Sequence, residues 1–258
     1  MLKQVFFLML LPICQYLGAS ETDNFSRSSK EPVSMTKRKI TIVGLGASIT
    51  EAKEMADENK KWLNIVGEKL RKSFPEYEFN MVNSGKGGNS AREAMARFEN
   101  GVLSKNPDYV ILDLCANNFD PVKVERRVNM EEFKSILEQY KKSLPSKTKT
   151  VCFTIPPMYE DIHPYGKNPA FKEFFQERGG FENAGTPYKD TFREFAKENG
   201  FPLYDFYYEL LALGKKNGRE RYIYKDGIHM NEEGNMVLAE GIFKILQQII
   251  MQKQKDLK

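Results

Sequence analysis

Residues 39–45 read KITIVGL, a run of β-branched and aliphatic residues that leads into a glycine-rich turn, Gly44-Leu45-Gly46. Valine and isoleucine favour a strand because their branched side chains pack well on a pleated surface. Glycines at the end of the run allow the backbone to turn sharply. The stretch therefore predicts a buried strand followed by a tight turn.

Similar apolar runs recur along the chain, and helical patterns separate them. Further strands are predicted at residues 77–82, 109–115 (YVILDLC), 150–155 (TVCFTI) and 202–206. Helices are predicted at residues 62–70, 90–103, 130–143, 188–198 and 232–251, where apolar side chains recur at helical spacing. Strands that alternate with helices predict an α/β fold with a parallel sheet covered on both faces. Ligands bind such sheets at the carboxyl ends of the strands.

The composition argues against several classes of function. The net charge is +4, but the lysines alternate with acidic residues, so a nucleic-acid partner is not indicated. Beyond the N-terminus, no apolar run is long enough for stable membrane insertion. The chain has no CxxC motif and no His/Cys cluster, so neither a metal nor a cofactor is predicted. Cys115 and Cys152 lie in apolar strands and are predicted to be buried free thiols.

Residues 1–20 have the pattern of a secretory signal peptide. Lys3 provides a positive start, residues 5–11 form an apolar run too short to span a bilayer, and residues 17–20 (LGAS) are suited to signal peptidase. The sequence thus predicts export to the periplasm or the medium.

A lipoprotein signal is the alternative interpretation of the N-terminus, with Cys14 as the lipidated cysteine. The bulky Ile13 immediately before this cysteine argues against it. Residues 21–37 are polar and Ser-rich, which predicts a disordered linker. Residues 38–258, about 220 in number, suit one folded domain.

Ser48 follows the first predicted strand in the block Gly46-Ala47-Ser48-Ile49-Thr50. It could be a helix N-cap, a common use of serine at such a turn, or a nucleophile. The dinucleotide-binding pattern fails because Ile49 stands where a glycine is needed, and the P-loop fails because it lacks a Gly-Lys pair. The G-x-S-x-G elbow of α/β-hydrolases fails at Thr50.

Two further polar blocks follow the second and third strands. Residues 83–90 (NSGKGGNS) could be a flexible loop, or could bring a backbone N–H close to a ligand at a glycine. Residues 115–118 (CANN) contain Asn117, which could cap the next segment or direct its side-chain amide at an oxyanion.

His229 is one of only two histidines, and Asp226 precedes it by three positions. The pair could be a general base beside its orienting carboxylate, or a helix start with a capping aspartate and a surface histidine. The other histidine, His163, is the competing base. It lies in the long aromatic-rich segment 156–187, where a histidine is either exposed to solvent or lines a substrate cleft.

In chain order, these blocks resemble the motifs of the SGNH hydrolases, also called the GDSL esterase and lipase family. Residues 46–50 resemble the Gly-Asp-Ser-Leu signature, and residues 83–89 resemble Asn-x-x-x-x-Gly, which places Gly88 at the family's oxyanion glycine. Residues 115–118 resemble Gly-x-Asn-Asp, and residues 226–231 resemble Asp-Gly-x-His-Pro-Asn. Each block alone is weak, but four in order are a specific signal.

The resemblance implies the fold, the reaction and the residues that carry it. The implied fold is a flavodoxin-like three-layer α/β/α sandwich around a parallel sheet of about five strands. The implied reaction is ester hydrolysis by a triad of Ser48, His229 and Asp226. The implied oxyanion hole consists of the backbone N–H groups of Ser48 and Gly88 and the side-chain amide of Asn117.

Three residues depart from the family pattern, and none of them is a triad or oxyanion position. Ala47 replaces an aspartate, Cys115 replaces a glycine, and Asn118 replaces the aspartate that ends its block. We therefore expect residues 38–258 to be the catalytic domain of an active hydrolase. The three departures leave its subfamily and its substrate open.

Export and the mixture of aromatic and charged residues in segment 156–187 favour short acyl esters, above all acetyl esters, on carbohydrates. The alternatives are a carbohydrate O-acyltransferase on the same scaffold, an acyl hydrolase of the lipase or lysophospholipase type, and a non-catalytic carbohydrate-binding module. The expected partner is a small-molecule or polysaccharide ester, and the oligomeric state stays open.

Overall fold

The structure, a computed structural model, describes residues 37–256. The predicted signal peptide, the predicted linker up to residue 36 and Cys14, the alternative lipidation site, lie outside the described residues. Within residues 37–256, no helix is both long and apolar enough to cross a membrane.

Five parallel strands form the central sheet, in the order β2-β1-β3-β4-β5. The strands are β1 (Arg38–Gly46), β2 (Tyr77–Gly85), β3 (Tyr109–Leu112), β4 (Lys149–Phe153) and β5 (Leu203–Tyr204). This order is the flavodoxin-like one, in which the chain reverses its direction of winding beside β1. The predicted parallel sheet and its topology are confirmed.

Ten α-helices connect and flank the strands in the described part of the chain. They are α1 (Ser48–Glu51), α2 (Trp62–Ser73), α3 (Ala91–Ala96), α4 (Phe98–Gly101), α5 (Met130–Ser143), α6 (Pro164–Lys167), α7 (Lys172–Gln176), α8 (Thr186–Glu198), α9 (Phe206–Asn217) and α10 (Glu232–Asp256). Short 3-10 turns lie at Glu58–Lys60, Leu103–Lys105, Val124–Arg126, Pro169–Phe171 and Arg219–Arg221.

The sheet has an apolar core on each face because successive side chains of a strand point to opposite sides. On β1, Ile42 belongs to the core that includes residues of α2, α9 and α10, whereas its neighbour Val43 belongs to the core that includes residues of α3, α5 and α8. Trp62 and Leu238 are among the buried residues of the first core, and Phe133 and Phe192 are among those of the second. The predicted three-layer sandwich is therefore confirmed.

Some predicted elements differ in extent from the observed ones. β3 ends at Leu112, earlier than predicted, because the side chain of Asp113 accepts the N–H of Cys115 at 3.1 Å and turns the chain. The predicted last strand, 202–206, is only two residues long because α9 begins at Phe206.

Two further comparisons with the predictions concern the helix at 90–103 and the two cysteines. The predicted helix at 90–103 is interrupted at Arg97, whose guanidinium donates to the carbonyl oxygen of Gly46 at the end of β1. Cys115 and Cys152 are buried and unbonded to each other, as predicted.

Candidate active site

Ser48, Gly88 and Asn117 follow β1, β2 and β3, respectively, at the carboxyl edge of the sheet. Because β1 lies between β2 and β3, the loops after these three strands converge above one point. The turn before Ser48 needs a glycine: a Cβ on Gly46 would lie 2.1 Å from the hydroxyl of Thr50. Ser48 begins the single-turn helix α1, so the close turn sets the direction of its hydroxyl.

A continuous hydrogen-bonded relay joins Ser48 to the C-terminal part of the chain. The Ser48 Oγ lies 2.9 Å from Nε2 of His229, although 181 residues separate the two. Nδ1 of the same ring lies 2.8 Å from Oδ2 of Asp226. The structure therefore brings together the three residues that the resemblance assigns to the triad.

The loop that carries Asp226 and His229 is fixed by its own backbone. Oδ1 of Asp226 accepts the N–H groups of Ile228 at 3.0 Å and His229 at 2.9 Å. The second carboxylate oxygen, Oδ2, bonds the imidazole of His229. The helix-cap alternative does not describe this loop, because Asn231 accepts the N–H of Gly234 in the first turn of α10.

The electrostatics of the pair favour a charged carboxylate beside an imidazole of raised basicity. Burial alone would raise the pKa of Asp226, but the hydrogen bonds from the His229 ring and from two backbone N–H groups outweigh it and hold the pKa at about 2. Burial likewise would lower the pKa of His229. The hydrogen bond to Asp226 and the nearby Glu54 carboxylate reverse this effect and raise the pKa.

Gly88 and Asn117 both have left-handed backbone conformations and both line the cleft in front of Ser48. Gly88 has φ +77°, a region that glycine adopts without steric cost. Asn117 has φ +59°, and its Nδ2 donates to the carbonyl oxygen of Asn89 at 3.0 Å. An amide nitrogen carries two hydrogens, so the same Nδ2 can donate a second bond to a ligand.

Asn118, where the family pattern has aspartate, links the loop after β3 to the start of α3. Its Oδ1 accepts the N–H of Ala91 and its Nδ2 donates to the carbonyl of Leu114, both at 2.8 Å. The side chain is buried, and Ala91 and Leu114 are buried as well. The amide therefore serves as a structural bridge between two loops of the site.

Replacing Asn118 with alanine is expected to lower the free energy of unfolding by about 2–3 kcal/mol, because it leaves a buried donor and a buried acceptor without partners. Urea unfolding monitored by circular dichroism measures the change. Asn59→Ala, at an exposed position, is the matched control and should change stability by less than about 0.5 kcal/mol. Equal stability of Asn118→Ala and the parent chain would contradict the bridging role.

Two cavities open beside Ser48. One is a small apolar recess of about 70 Å³, with Ile155, Met158, Phe175 and Phe181 among its lining residues. The other is an open polar cleft of about 380 Å³, with Lys53, Glu54, Lys123 and Arg126 among its lining residues. Ser48, Asn117, Asp120, His163, Tyr165 and Ile228 line both cavities. The hydroxyl of Ser48 thus lies where an apolar pocket meets a polar one.

The mixture of aromatic and charged residues in segment 156–187 favoured a carbohydrate substrate, but several of these aromatic rings lie inside the protein. Phe175 and Phe181 are buried and line the apolar recess, and Tyr159 is buried in the opposite core. Only Tyr165 lines the polar cleft as well. The segment therefore shapes the apolar recess more than the cleft, because its aromatic rings gain more from burial than from contact with water.

His163 lines both cavities, but the hydrogen bond of Ser48 goes to His229. Nδ1 of His163 accepts the N–H of Tyr165 at 3.0 Å, so the proton of the neutral ring lies on Nε2. Burial lowers the pKa of His163, which favours this neutral form. Of the two positions that the sequence left open for His163, the structure shows the one that lines the cleft.

Sequence reasoning missed three charged residues that hold the glycine loop. Glu51 accepts the N–H of Gly87 at 2.6 Å, and Arg126 donates to the carbonyl of Gly88 at 3.0 Å. Nε of Arg126 pairs with Glu93 at 3.3 Å. Only Glu93 had a local signal, the capping box with Ser90 at the start of α3.

Among residues 37–256, no group of three or more histidine, cysteine, aspartate or glutamate side chains is arranged to hold a metal ion.

A family model described as GDSL-like Lipase/Acylhydrolase matches residues 42–242 of this chain. The chain is also similar to an uncharacterized lipoprotein, YqeF, from Bacillus subtilis (strain 168). The two are 23% identical over 197 residues, which is 71% of this chain and 78% of the relative.

Similar solved structures include an acetyl xylan esterase, AlAXEase. Its TM-score is 0.64 at 24% identity, with 80% of this chain and 99% of that chain covered. A two-domain esterase active on acetylated mannans has a TM-score of 0.57 at 24% identity, with 83% of this chain and 50% of that chain covered. At these identities the likeness shows a shared fold.

Proposed function

The chain belongs to the GDSL-like lipase/acylhydrolase family and is a carboxylic ester hydrolase, and from this premise we propose that it is an exported serine esterase that removes short acyl groups, chiefly acetyl, from carbohydrates. Family membership confirms the resemblance of the four sequence blocks. The hydrogen-bonded relay from Ser48 through His229 to Asp226 is the single observation that carries the proposed mechanism.

In the proposed mechanism, Ser48 Oγ attacks the ester carbonyl carbon while Nε2 of His229 accepts its proton. The C–O bond to the alcohol then breaks, and His229 returns the proton to the departing oxygen. Water, deprotonated by the same nitrogen, then attacks the acyl-serine. The bond to Ser48 Oγ breaks, His229 returns the proton to this oxygen, and the acid is released. Throughout, Asp226 keeps the ring proton on Nδ1 and stabilises the imidazolium.

The negative charge that develops on the carbonyl oxygen needs donors that are already in position. We assign this role to the backbone N–H groups of Ser48 and Gly88 and to the amide of Asn117. Support comes from the contacts that hold the two loops still: Asn117 is tied to Asn89, and the carbonyl of Gly88 is tied to Arg126. Donors held in this way need no rearrangement when the charge forms.

The size of the apolar recess supports a short acyl group. The recess beside Ser48, at about 70 Å³, is much smaller than the polar cleft, at about 380 Å³, so the smaller part of the ester suits the recess. Its apolar walls suit a methyl group and offer little to a charged one. Acetyl esters fit this recess better than the esters cleaved by lipases or lysophospholipases.

The nature of the polar cleft supports a carbohydrate as the alcohol. The cleft presents charged side chains, including Lys53, Glu54 and Lys123, that can hydrogen-bond to hydroxyl groups. Similar structures include an acetyl xylan esterase and an esterase active on acetylated mannans, which supports the same class of substrate for this chain. The amount of acetate released from acetylated xylan or mannan tests the substrate class.

The exported location is also part of this proposal. Residues 1–20 have the pattern of a signal peptide, followed by a polar linker at 21–37 and the catalytic domain at 38–258. The Bacillus subtilis relative is named a lipoprotein, which supports the alternative of a lipid anchor at Cys14. Cell fractionation of the parent chain and Cys14→Ser distinguishes a released enzyme from an anchored one.

The activity should follow the protonation of His229, which must be neutral to accept the proton of Ser48. Because the pKa of this histidine is raised, we expect kcat/KM to increase through an inflection above the ordinary histidine value of about 6.5. The measurement is the pH profile of kcat/KM with 4-nitrophenyl acetate. A second ester with a different alcohol is the control and should give the same inflection, since kcat/KM reports the free enzyme. An inflection below 6.5 would contradict the arrangement.

His163 should contribute to substrate binding and not to proton transfer. His163→Ala is expected to raise KM about tenfold, as one lost contact in a pocket does, with kcat changed less than about threefold. Steady-state kinetics on an acetyl ester measure both constants. The matched variant is His229→Ala, which should abolish turnover. The reverse pattern would make His163 the base.

A further inference from the structure

Glu54 lines the polar cleft and lies beside the reacting groups. Its Oε1 is 3.8 Å from Nε2 of His229, the nitrogen that also bonds Ser48. The Glu54 side chain is 24% exposed, so it is neither buried in the core nor free in solvent. It lines the polar cleft and is absent from the lining of the apolar recess.

The backbone before Glu54 takes an unusual course that brings the side chain to this point. Ala52 has φ +50° and ψ +38°, a left-handed conformation that is uncommon for a residue other than glycine. Its N–H donates to the carbonyl of Ser48 at 2.8 Å and closes α1. The chain then turns back, and both Lys53 and Glu54 line the cleft. The position of the carboxylate is thus coupled to the turn that carries the proposed nucleophile.

The two cavities can bind the two parts of an ester, the acyl group and the alcohol. If the acyl group occupies the apolar recess, the alcohol must lie in the polar cleft, because Ser48 is at their junction. To receive its proton, the alcohol oxygen must come within hydrogen-bonding distance of Nε2 of His229, about 3 Å. Glu54 Oε1 lies 3.8 Å from the same nitrogen and lines the same cleft, so a hydroxyl of the alcohol in that cleft can reach it.

A carboxylate accepts hydrogen bonds and does not donate them when ionised. Its partner in the alcohol must therefore be a donor, and a hydroxyl on the neighbouring carbon has the right reach. We propose that Glu54 accepts a hydrogen bond from the hydroxyl adjacent to the ester oxygen, so that the enzyme selects esters of vicinal diols, as found in sugars. This selection rests on the proposed function and names the residue that determines it.

The test compares two sugar esters that differ in one hydroxyl. The substrates are methyl 2-O-acetyl-xyloside, its 3-deoxy analogue and 4-nitrophenyl acetate, which has no hydroxyl at all. The enzymes are the parent chain, Glu54→Gln, Glu54→Ala and Glu58→Gln, an exposed carboxylate outside both cavities. Circular dichroism confirms that each variant is folded.

We expect the parent chain to prefer the hydroxylated sugar over the deoxy sugar by about tenfold or more in kcat/KM, as for a hydrogen bond to a charged acceptor. Glu54→Ala should remove this preference: its loss of kcat/KM on the hydroxylated sugar should exceed, by about tenfold, its loss on the deoxy sugar and on 4-nitrophenyl acetate, two substrates that report the effect of the carboxylate on His229 alone. Glu58→Gln should behave as the parent chain.

Two results would overturn the role of Glu54. Equal losses on all three substrates would mean that the carboxylate acts on His229 and not on the alcohol. An unchanged preference for the hydroxylated sugar in Glu54→Ala would mean that another group reads the hydroxyl. Failure of the proposed function is distinguishable, because the parent chain itself would then hydrolyse 4-nitrophenyl acetate but neither sugar ester.

Discussion

Replacing Ser48 with alanine is expected to lower kcat for 4-nitrophenyl acetate about 10⁶-fold, because the acyl-enzyme can no longer form. His229→Ala should lose a similar factor, and the double variant should lose no more than either single variant. Residues that act as one unit show this non-additivity. The 2.9 Å contact between Ser48 Oγ and Nε2 of His229 is the reason to expect it.

The measurement is a set of steady-state assays on the two single variants, the double variant and a control. Ser104→Ala, at an exposed serine that follows α4, should retain full activity. If Ser48→Ala retained most of the activity, Ser48 would not be the nucleophile. Multiplicative losses in the double variant would show that the two side chains act independently.

Replacing Asp226 with asparagine is expected to lower kcat about 10⁴-fold, as it does in serine hydrolases with this relay. The asparagine oxygen can keep the bonds from the N–H groups of Ile228 and His229, so its amide nitrogen would face Nδ1 of the imidazole. Two donors cannot pair, and the ring proton would move to Nε2. That nitrogen could then no longer accept the proton of Ser48.

The same assay with Asp57→Asn provides the matched control. This exposed carboxylate caps a 3-10 turn and has no part in the proposed relay. It should keep full activity. A loss below tenfold in Asp226→Asn, with circular dichroism unchanged, would mean that His229 is oriented by another group.

The main features of the fold could be predicted from the sequence because they depend on local patterns. The apolar run at β1 and the glycines after it predicted the strand and its turn, and the helix at Met130–Ser143 was predicted with its observed limits. α9 was missed, although its residues FYYELLALGKKN are compatible with a helix. Its apolar residues do not recur at clear helical spacing, so periodicity gave no signal.

The candidate site was predictable only in part. Ser48, Gly88, Asn117, Asp226 and His229 stand in recognisable blocks, and the structure brings all five to one cleft. Glu54 and Arg126 stand in no such block. Their positions depend on how distant loops pack, through the left-handed turn at Ala52 and the contact of Arg126 with the glycine loop.

The inward position of Phe175 and Phe181 shows a second limit of sequence reasoning. An aromatic-rich loop can present its rings to a ligand or bury them, and composition alone does not distinguish these outcomes. Burial of large apolar rings is favourable by roughly 25 cal/mol per Å² of apolar surface, so the rings pack inward where the fold leaves space. Here that packing narrows the recess beside Ser48.

Covalent labelling by an organophosphonate tests the relay between Ser48 and His229 most directly. The reagent should react once per chain, and peptide mapping by mass spectrometry should find the adduct on Ser48. Labelling should be lost in Ser48→Ala and slowed by several orders of magnitude in His229→Ala, because the serine then lacks its base. An adduct on another residue, or labelling of Ser48 at the same rate without His229, would contradict the proposed catalytic site.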